Sequence, residues 1–302
     1  MKALQVGVGR HGPHVVSRIR RGKVAALVEP TVPVQGLDLV SSPAETLTKQ
    51  ATRAAYGWAR PKDWRAAIDL LGQAARAGEP DAERQYALVT QMDLAALLAP
   101  PRVEPQSNHI RVGLCRGFAP PGFAEWLIDQ AAPRLVAASV HGDADRQTRT
   151  ARDAGFGPRQ RDLVLAVLQE RAAGLTQVSV DYHEPPNVIS YEAGQEFKLH
   201  VDFIDPRVPE FQRELAELGQ RTATFVTYLN DDFDGAETHF PHVGLKLRGG
   251  TGDAILFLNT LPNGEPDHGT AHFAPAPTRG RKWVLSQWIR SQPFPFRAED
   301  LA

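Results

Sequence analysis

The apolar positions along this chain change their period partway through. Helical spacing dominates before about residue 100, and strand spacing dominates after Gly174. Residues 1 to about 40 show little helical periodicity and are rich in Gly, Val and Pro, which suggests a flexible arm. From Ser42 the order changes. Ser42-Pro43-Ala44-Glu45 has the form of a capping box with proline at the first helical position, and Leu47, Ala51, Ala54, Ala55 and Trp58 then share one face. A second amphipathic helix is predicted from Asp63, with Trp64, Ala67, Ile68, Leu71, Ala74 and Ala75 at helical spacing, until Gly78 supplies a stop. A third follows from Pro80, with Ala82, Tyr86 and Val89 facing inward. Pro100-Pro101 and Pro105 mark an expected linker.

Beyond the linker, Ile110, Val112 and Leu114 predict a strand, Phe123 to Ala132 a helix, and Leu163, Val164, Val167 and Leu168 another helix. The remainder reads as strands over Val188 to Tyr191, Phe197 to Phe203, Thr222 to Leu229, Ala254 to Leu258 and Lys282 to Ile289, separated by Gly, Pro, Asn and Asp clusters. The charged stretch from Ile204 to Glu217 reads as a loop or helix that could form part of a lid. Helices followed by a run of strands predict an α+β chain: a double-stranded β-helix, or jelly-roll, over residues 104–302, preceded by an arm and small helical domain over 1–103.

Composition narrows the function classes. The 34 Lys and Arg residues almost balance 35 Asp and Glu, so there is no global field to favour nucleic acid or an anionic membrane. Cys115 is the only cysteine, which excludes an intrachain disulfide and a cysteine-rich zinc site and fits a reducing compartment. With no signal-peptide h-region and no apolar run of 18 residues, a soluble, cytoplasmic protein is expected. The Gly7-Val8-Gly9-Arg10-His11-Gly12 stretch has the wrong glycine spacing for a phosphate loop.

The chemistry concentrates around Phe197-Lys198-Leu199-His200-Val201-Asp202-Phe203. On a strand, side chains at i and i+2 share a face, so His200 and Asp202 point together and Leu199, Val201 and Phe203 point away. An imidazole beside a carboxylate is one edge of a metal site. A second histidine would complete the two-histidine, one-carboxylate facial triad, which leaves coordination positions open for a cosubstrate and dioxygen. His272, 72 residues downstream, supplies it, and ten residues later comes the strand beginning with Lys282. On that strand Lys282, Val284, Ser286 and Trp288 share a face, so an ammonium and an aromatic ring can line one pocket.

Five motifs then stand in the order of the prolyl 4-hydroxylase family. They are Tyr191-Glu192-Ala193-Gly194-Gln195 leading to His200 and Asp202; Arg221-Thr222 before Thr227-Tyr228-Leu229-Asn230; Gly235-Ala236-Glu237-Thr238-His239-Phe240-Pro241; Gly252-Asp253-Ala254 before Phe257; and His272 through Lys282-Trp283 to Trp288-Ile289-Arg290. Over roughly residues 108 to 292 the chain therefore resembles that family. The resemblance implies an iron(II), 2-oxoglutarate and O2-dependent dioxygenase, with ascorbate as a reactivating reductant. It implies His200, Asp202 and His272 as metal ligands, with Tyr191, Thr238 and Lys282 on 2-oxoglutarate and Trp288 as a pocket wall. Arg221 and Arg290 are substrate-facing candidates. His268 competes with His272, and the family spacing to Lys282 favours His272. The usual double glycine is here Gly235-Ala236, a departure at that turn. His183, His239 and His242 read as surface or flanking residues.

The family's usual target is a peptidyl proline, so a peptide substrate is expected. A free amino acid or other small molecule is the alternative substrate, and a non-catalytic cupin-like metal scaffold is the alternative class. The Ala74-Ala75-Arg76-Ala77-Gly78 ending, the turn and the return helix resemble one Sel1-like, tetratricopeptide-related hairpin, which implies a possible surface for a protein partner.

Overall fold

A computed structural model of the chain describes residues 43–138 and 149–296. The N-terminal arm, the Gly7–Gly12 stretch and Ser42 of the expected capping box lie outside the described residues.

The helices form where the apolar spacing places them: α1 (Pro43–Tyr56), α2 (Trp64–Arg76) and α3 (Pro80–Val89). Asp63 caps α2 by accepting from the Ala66 amide at 2.9 Å, and Glu79 caps α3 through the Ala82 amide at 2.5 Å. Each satisfies a donor that the first turn would otherwise leave open. A fourth helix that the pattern did not announce, α4 (Leu94–Leu98), is capped by Asp93.

The expected linker differs from the observed structure. Val103–Pro105 forms β1 and pairs antiparallel with β2 (Val112–Cys115). Proline fits there because β1 is the outermost strand of its sheet, where a missing N–H costs no ladder bond. The expected boundary between residues 103 and 104 therefore falls inside a strand. The chain continues through α5 (Phe123–Ala131), β3 (Val136–Ala137), β4 (Arg152–Gly155), α6 (Leu163–Thr176), β5 (Asn187–Tyr191), β6 (Phe197–His200) and α7 (Gln212–Leu218). It ends with β7 (Arg221–Tyr228), β8 (Asp234–Gly235), β9 (Thr238–Phe240), β10 (Leu245–Leu247), β11 (Ala254–Leu258), β12 (His272–Ala274), β13 (Pro277–Arg279) and β14 (Lys282–Arg290).

A large sheet has the order β1-β2-β11-β7-β14-β5-β4-β3, a smaller one β10-β9-β12-β6, and β13 pairs with β8. All pairings are antiparallel, as the jelly-roll reading requires. The period of two divides the large sheet's residues between two cores. Ala254, Leu256 and Leu258 of β11, with Leu285 and Ile289 of β14, join the cluster shared with the helices. Ile255, Phe257 and Val284 join the cluster that also holds Phe240 and Leu247 of the smaller sheet. Because both faces are covered, β14 is buried at every position, its polar residues Lys282, Ser286, Gln287 and Arg290 included.

Helix α6 is the middle of the outer layer. It contacts α1, α3 and α4 as well as the sheet side, and so is buried around most of its circumference. Polar bonds lock the same layers. Tyr56 Oη donates to Gln169 Oε1 at 2.8 Å, Gln169 Nε2 donates to Gln287 Oε1 at 2.7 Å, and Gln287 Nε2 donates to the Glu184 carbonyl at 2.7 Å. Arg171 also donates to the carbonyls of Leu97, Gly117 and Phe118. The N-terminal helices and the outer face of the large sheet thus share one core.

Leu71, fully buried in α2, belongs to that shared core. Leu71→Ala should cost about 2–5 kcal/mol, and thermal unfolding followed by far- and near-ultraviolet circular dichroism should remain one coincident transition. An early loss of helical signal, with the aromatic signal of the sheet unchanged, would show the helices to be a separate folding unit.

Candidate metal centre and cosubstrate pocket

The smaller sheet brings residues 200 and 272 together. In the β12–β6 pairing His272 lies directly opposite His200, and their ring centroids are 4.1 Å apart. The expected strand from Phe197 to Phe203 ends at His200, and Asp202 sits in the bend that follows. Leaving the strand does not take Asp202 out of the site. Its Oδ1 lies 3.6 Å from His200 Nε2 and its Oδ2 3.9 Å from His272 Nε2. One potential ligand atom from each of the three residues falls within 4.8 Å of the others. His268 is not part of this group; its ring meets Phe203 edge-on, with centroids 5.0 Å apart.

Both imidazoles are oriented from behind. His200 Nδ1 bonds the Lys198 carbonyl at 2.8 Å, and His272 Nδ1 bonds the Thr270 carbonyl at 3.0 Å. A carbonyl only accepts, so each Nδ1 carries the proton and each Nε2 presents its lone pair to the cluster. Burial, followed by the neighbouring His272, depresses the His200 pKa to about 3, which keeps that ring neutral. Burial would raise the Asp202 pKa, but His272, His200 and Arg221, together with a 2.8 Å bond from Thr224 Oγ1, outweigh it and hold the carboxyl ionised. His200 Nε2 is buried without a hydrogen-bond partner among the described residues. Two inward lone pairs, an ionised carboxylate and an orphaned buried nitrogen are what a divalent metal would satisfy. Phe197 stacks on His200 at 3.4 Å between centroids, while Phe240 and Phe257 flank His272.

A pocket behind this cluster is lined by Tyr191, Val226, Thr238, Lys282, Val284 and Trp288, the inward residues of the jelly-roll. Lys282 is 2% exposed. Its Nζ donates to the Ala236 carbonyl at 2.7 Å and stands 5.8 Å and 5.2 Å from the ring centroids of Tyr191 and Tyr228. No carboxylate among the described residues lies within ion-pair distance. Burial lowers the Lys282 pKa to about 7, with Glu237 raising it and Arg248 lowering it further. Tyr228, whose hydroxyl is 3.3 Å from Thr238 Oγ1, is a pocket neighbour that the sequence reading passed over as part of a strand motif. Ala236, at the turn where the family has glycine, adopts φ 55°, a left-handed conformation that costs a side-chain-bearing residue about 1–2 kcal/mol.

On the other side of the metal cluster opens a cleft of about 440 Å³, lined by Arg149, Glu184, Phe197, Phe211, Arg221 and Trp288 among others. Arg221 lies 4.4 Å over the Trp288 ring and pairs with both oxygens of Glu184 at 2.7 and 2.9 Å. Arg290, the other substrate-facing candidate, is not among the residues that line the cleft. Each of its three guanidinium nitrogens donates a bond, to Glu184, to the Gly219 carbonyl and to Glu214. Phe211, beside α7, brings the Ile204–Glu217 stretch to the cleft. His183, expected at the surface or flanking the site, is fully buried and paired with Ile289. Burial, Arg161 and Lys62 lower its pKa to about 3. His242 is exposed, and His239 packs against Phe273.

A jelly-roll holding a two-histidine, one-carboxylate cluster above a buried lysine defines a metal-dependent oxygenase class, and the sequence relationships agree. The family model of the 2OG-Fe(II) oxygenase superfamily matches residues 186–290. Prolyl 4-hydroxylase 13 of Arabidopsis thaliana is 31% identical over 207 residues, covering 61% of this chain and 72% of that protein. The prolyl 4-hydroxylase subunit alpha-1 of Rattus norvegicus is 30% identical over 205 residues, covering 67% of this chain but only 38% of that longer protein. Among solved structures, the viral collagen prolyl hydroxylase of Paramecium Bursaria Chlorella virus-1, in its 2OG complex, has a TM-score of 0.47 and 22% identity, over 59% of this chain and 94% of that one. The chain belongs to the prolyl 4-hydroxylase family of 2-oxoglutarate-dependent dioxygenases. As such it is an enzyme that uses Fe(II), 2-oxoglutarate and O2.

Glu184 is the shared partner of two buried guanidinium groups, so Glu184→Ala should destabilise the protein by about 3–5 kcal/mol in urea titrations at pH 7. Burial raises the Glu184 pKa, but Arg221 and Arg290 outweigh it and hold it below 4.5. The carboxylate's contribution is therefore full above pH 4.5 and is lost as pH falls through the depressed folded value. Wild type and variant should converge in stability in acid, and a constant gap down to pH 2 would contradict the assigned pairing.

Proposed function

We propose that this enzyme hydroxylates prolyl residues of a peptide or protein, with iron(II) held by His200, Asp202 and His272 and the distal carboxylate of 2-oxoglutarate held by Lys282, Tyr191 and Thr238. The observation that carries the reading is the Lys282 amine: a fully buried potential cation facing a pocket that ends at the His-Asp-His cluster, with no carboxylate among the described residues to pair with. Burying an ammonium is expensive unless it is paired, so the pocket is built for an acid that arrives as a ligand. The relatives' names supply the prolyl target, and the open cleft with its Arg221 and Trp288 wall supplies room for a chain segment.

When bound, iron(II) with 2-oxoglutarate and dioxygen supplies an oxidant able to hydroxylate an unactivated C–H bond, with succinate and carbon dioxide formed. The protein's part is orientation and exclusion of water. The Lys198 and Thr270 carbonyls fix both imidazole tautomers. Phe197, Phe240 and Phe257 surround the histidines with apolar rings. The Lys282 amine takes up and holds a proton when the cosubstrate's carboxylate arrives. Trp288 and Arg221 wall the side from which the substrate is presented. We assign the helical segment, with its Sel1-like hairpin, the role of covering the outer face of the large sheet.

Anaerobic addition of iron(II) and 2-oxoglutarate should give a weak visible charge-transfer band that His200→Ala, Asp202→Ala and His272→Ala each abolish. Oxygen should then discharge the wild-type band with succinate formation, and a prolyl peptide should gain one oxygen by mass spectrometry. A band that survives His272→Ala but disappears in His268→Ala would refute the ligand assignment.

Lys282→Ala should weaken 2-oxoglutarate binding by about 2–5 kcal/mol while iron affinity changes little. Free Lys282 is largely neutral above pH 7, and a bound carboxylate raises its pKa. Binding above pH 7 should therefore take up one proton, and affinity should fall as pH rises, by up to about tenfold per pH unit. Calorimetry in buffers of different ionisation enthalpy measures this directly. Proton-neutral binding at pH 8.5 would count against the amine as carboxylate partner.

A further inference from the structure

Behind Asp202 runs a polar chain that the ligand assignment leaves unused. Asn259, which follows the last residue of β11, is fully buried. Its Nδ2 donates to Thr224 Oγ1 at 2.9 Å, and Thr224 Oγ1 donates to Asp202 Oδ2 at 2.8 Å. The polarity is fixed by the groups themselves. An ionised carboxylate only accepts, so the single hydroxyl proton of Thr224 goes to Asp202, and the group opposite must donate to the hydroxyl oxygen. Only the amide nitrogen of Asn259 can do so.

The other end of the amide sharpens the point. Asn259 Oδ1 is buried with no hydrogen-bond partner among the described residues. An orphaned buried acceptor is unfavourable, and an apolar residue at this position would avoid it. What the polar side chain contributes is the bond to Thr224. The torsion that turns a carboxylate about its own axis is soft, so an aspartate ligand needs an outside partner to fix which oxygen faces a metal. Thr224 engages Oδ2 and leaves Oδ1, 3.6 Å from His200 Nε2, without a protein hydrogen bond.

We propose that Asn259 is a positioning residue of the metal centre: through Thr224 it locks the Asp202 carboxylate in one rotation, with Oδ1 left for the metal. This rests on the reading of His200, Asp202 and His272 as ligands. The relay joins three parts of the chain, the bend after β6, the inner face of β7 and the end of β11, so the large sheet aims a ligand that follows a strand of the small one.

Cobalt(II) titration of the full-length protein, followed by its visible ligand-field bands, tests the relay without any turnover. Asn259→Ala and Asn259→Leu should each weaken cobalt(II) binding about tenfold and alter the band shape, and Thr224→Val should weaken it about 10- to 100-fold. Thr224→Ser, which keeps the hydroxyl, should bind close to wild type. Because Asn259 acts only through the hydroxyl, Thr224→Val combined with Asn259→Leu should bind no more weakly than Thr224→Val alone. Circular dichroism confirms folding of each variant, and Asn259→Ala replaces the leucine variant in the double change if that one fails to fold. Folded Asn259 variants with wild-type affinity and spectrum, or losses that multiply in the double variant, would overturn the relay. His272→Ala separates the two layers of the argument: cobalt(II) binding unaffected by that change refutes the ligand set and the relay together, whereas its loss alongside unaffected Asn259 variants refutes the relay alone.

Discussion

The cross-strand pairing of His272 with His200 is the constraint on which the site depends. The two residues are far apart in the chain and come together only because β12 is held between β9 and β6 in one register. Side chains alternate across a strand, so a slip of one residue would turn His272 away from Asp202 and bring Phe273 inward. Local bonds before the strand oppose such a slip. The Asp267 carboxylate accepts from the Gly269 amide at 3.0 Å, and the Thr270 hydroxyl donates to the Asp267 carbonyl at 2.7 Å. Thr270 in turn offers its own carbonyl to the His272 ring. The packing of Phe240 and Phe257 against that ring makes the same register the one that fills the inner core.

Buried charge is handled in two opposite ways. Around Glu184 the charges are matched within the protein: one carboxylate serves Arg221 and Arg290, and Glu214 completes the second arginine. That cluster stiffens the wall of the cleft and ties β14 to α7. At Lys282 no carboxylate among the described residues pairs with the amine, which rests on a backbone carbonyl between two tyrosine rings. A closed cluster of ions reads as architecture, and an open one as a place for a ligand, so the contrast separates the residues that hold the pocket from those that use it.

Most of the large sheet was legible in the sequence because its strands are buried on both faces. Ala254–Leu258 is apolar throughout, and Lys282–Arg290 carries Trp283, Val284, Leu285, Trp288 and Ile289, so both were recognisable without a partner. The His200, Asp202 and His272 cluster was legible through chemical type and spacing, as was Lys282. Short strands were not: β1 is three residues ending in proline, and β9 and β12 are three residues each, so their sheet membership is set by tertiary pairing rather than by local preference. Asp202 joins His200 and His272 in one cluster although the sequence argument put it on a strand, and it lies just beyond the end of one. Thr224 and Asn259 escaped notice because a threonine in a strand and an asparagine at a strand end are ordinary choices. The tie between Glu184, Arg221 and Arg290 spans distances over which single-sequence spacing carries no signal. The amphipathic helices announced their apolar faces, but not that those faces would share a core with α6 and the sheet.

The alternation along β14 also separates two histories within nine residues. Trp283, Leu285, Gln287 and Ile289 answer to the helical coat, while Lys282, Val284, Ser286 and Trp288 answer to the pocket. Outward positions can drift with compensating changes in α6 or α1, since Gln287 meets Gln169 and Gln169 meets Tyr56. Inward positions have no such freedom on the function proposed above, because there they face the cosubstrate. The coat can therefore be rebuilt piece by piece in a lineage or in a design while the catalytic interior stays fixed, and the boundary between what may change and what may not runs along the two faces of a single strand.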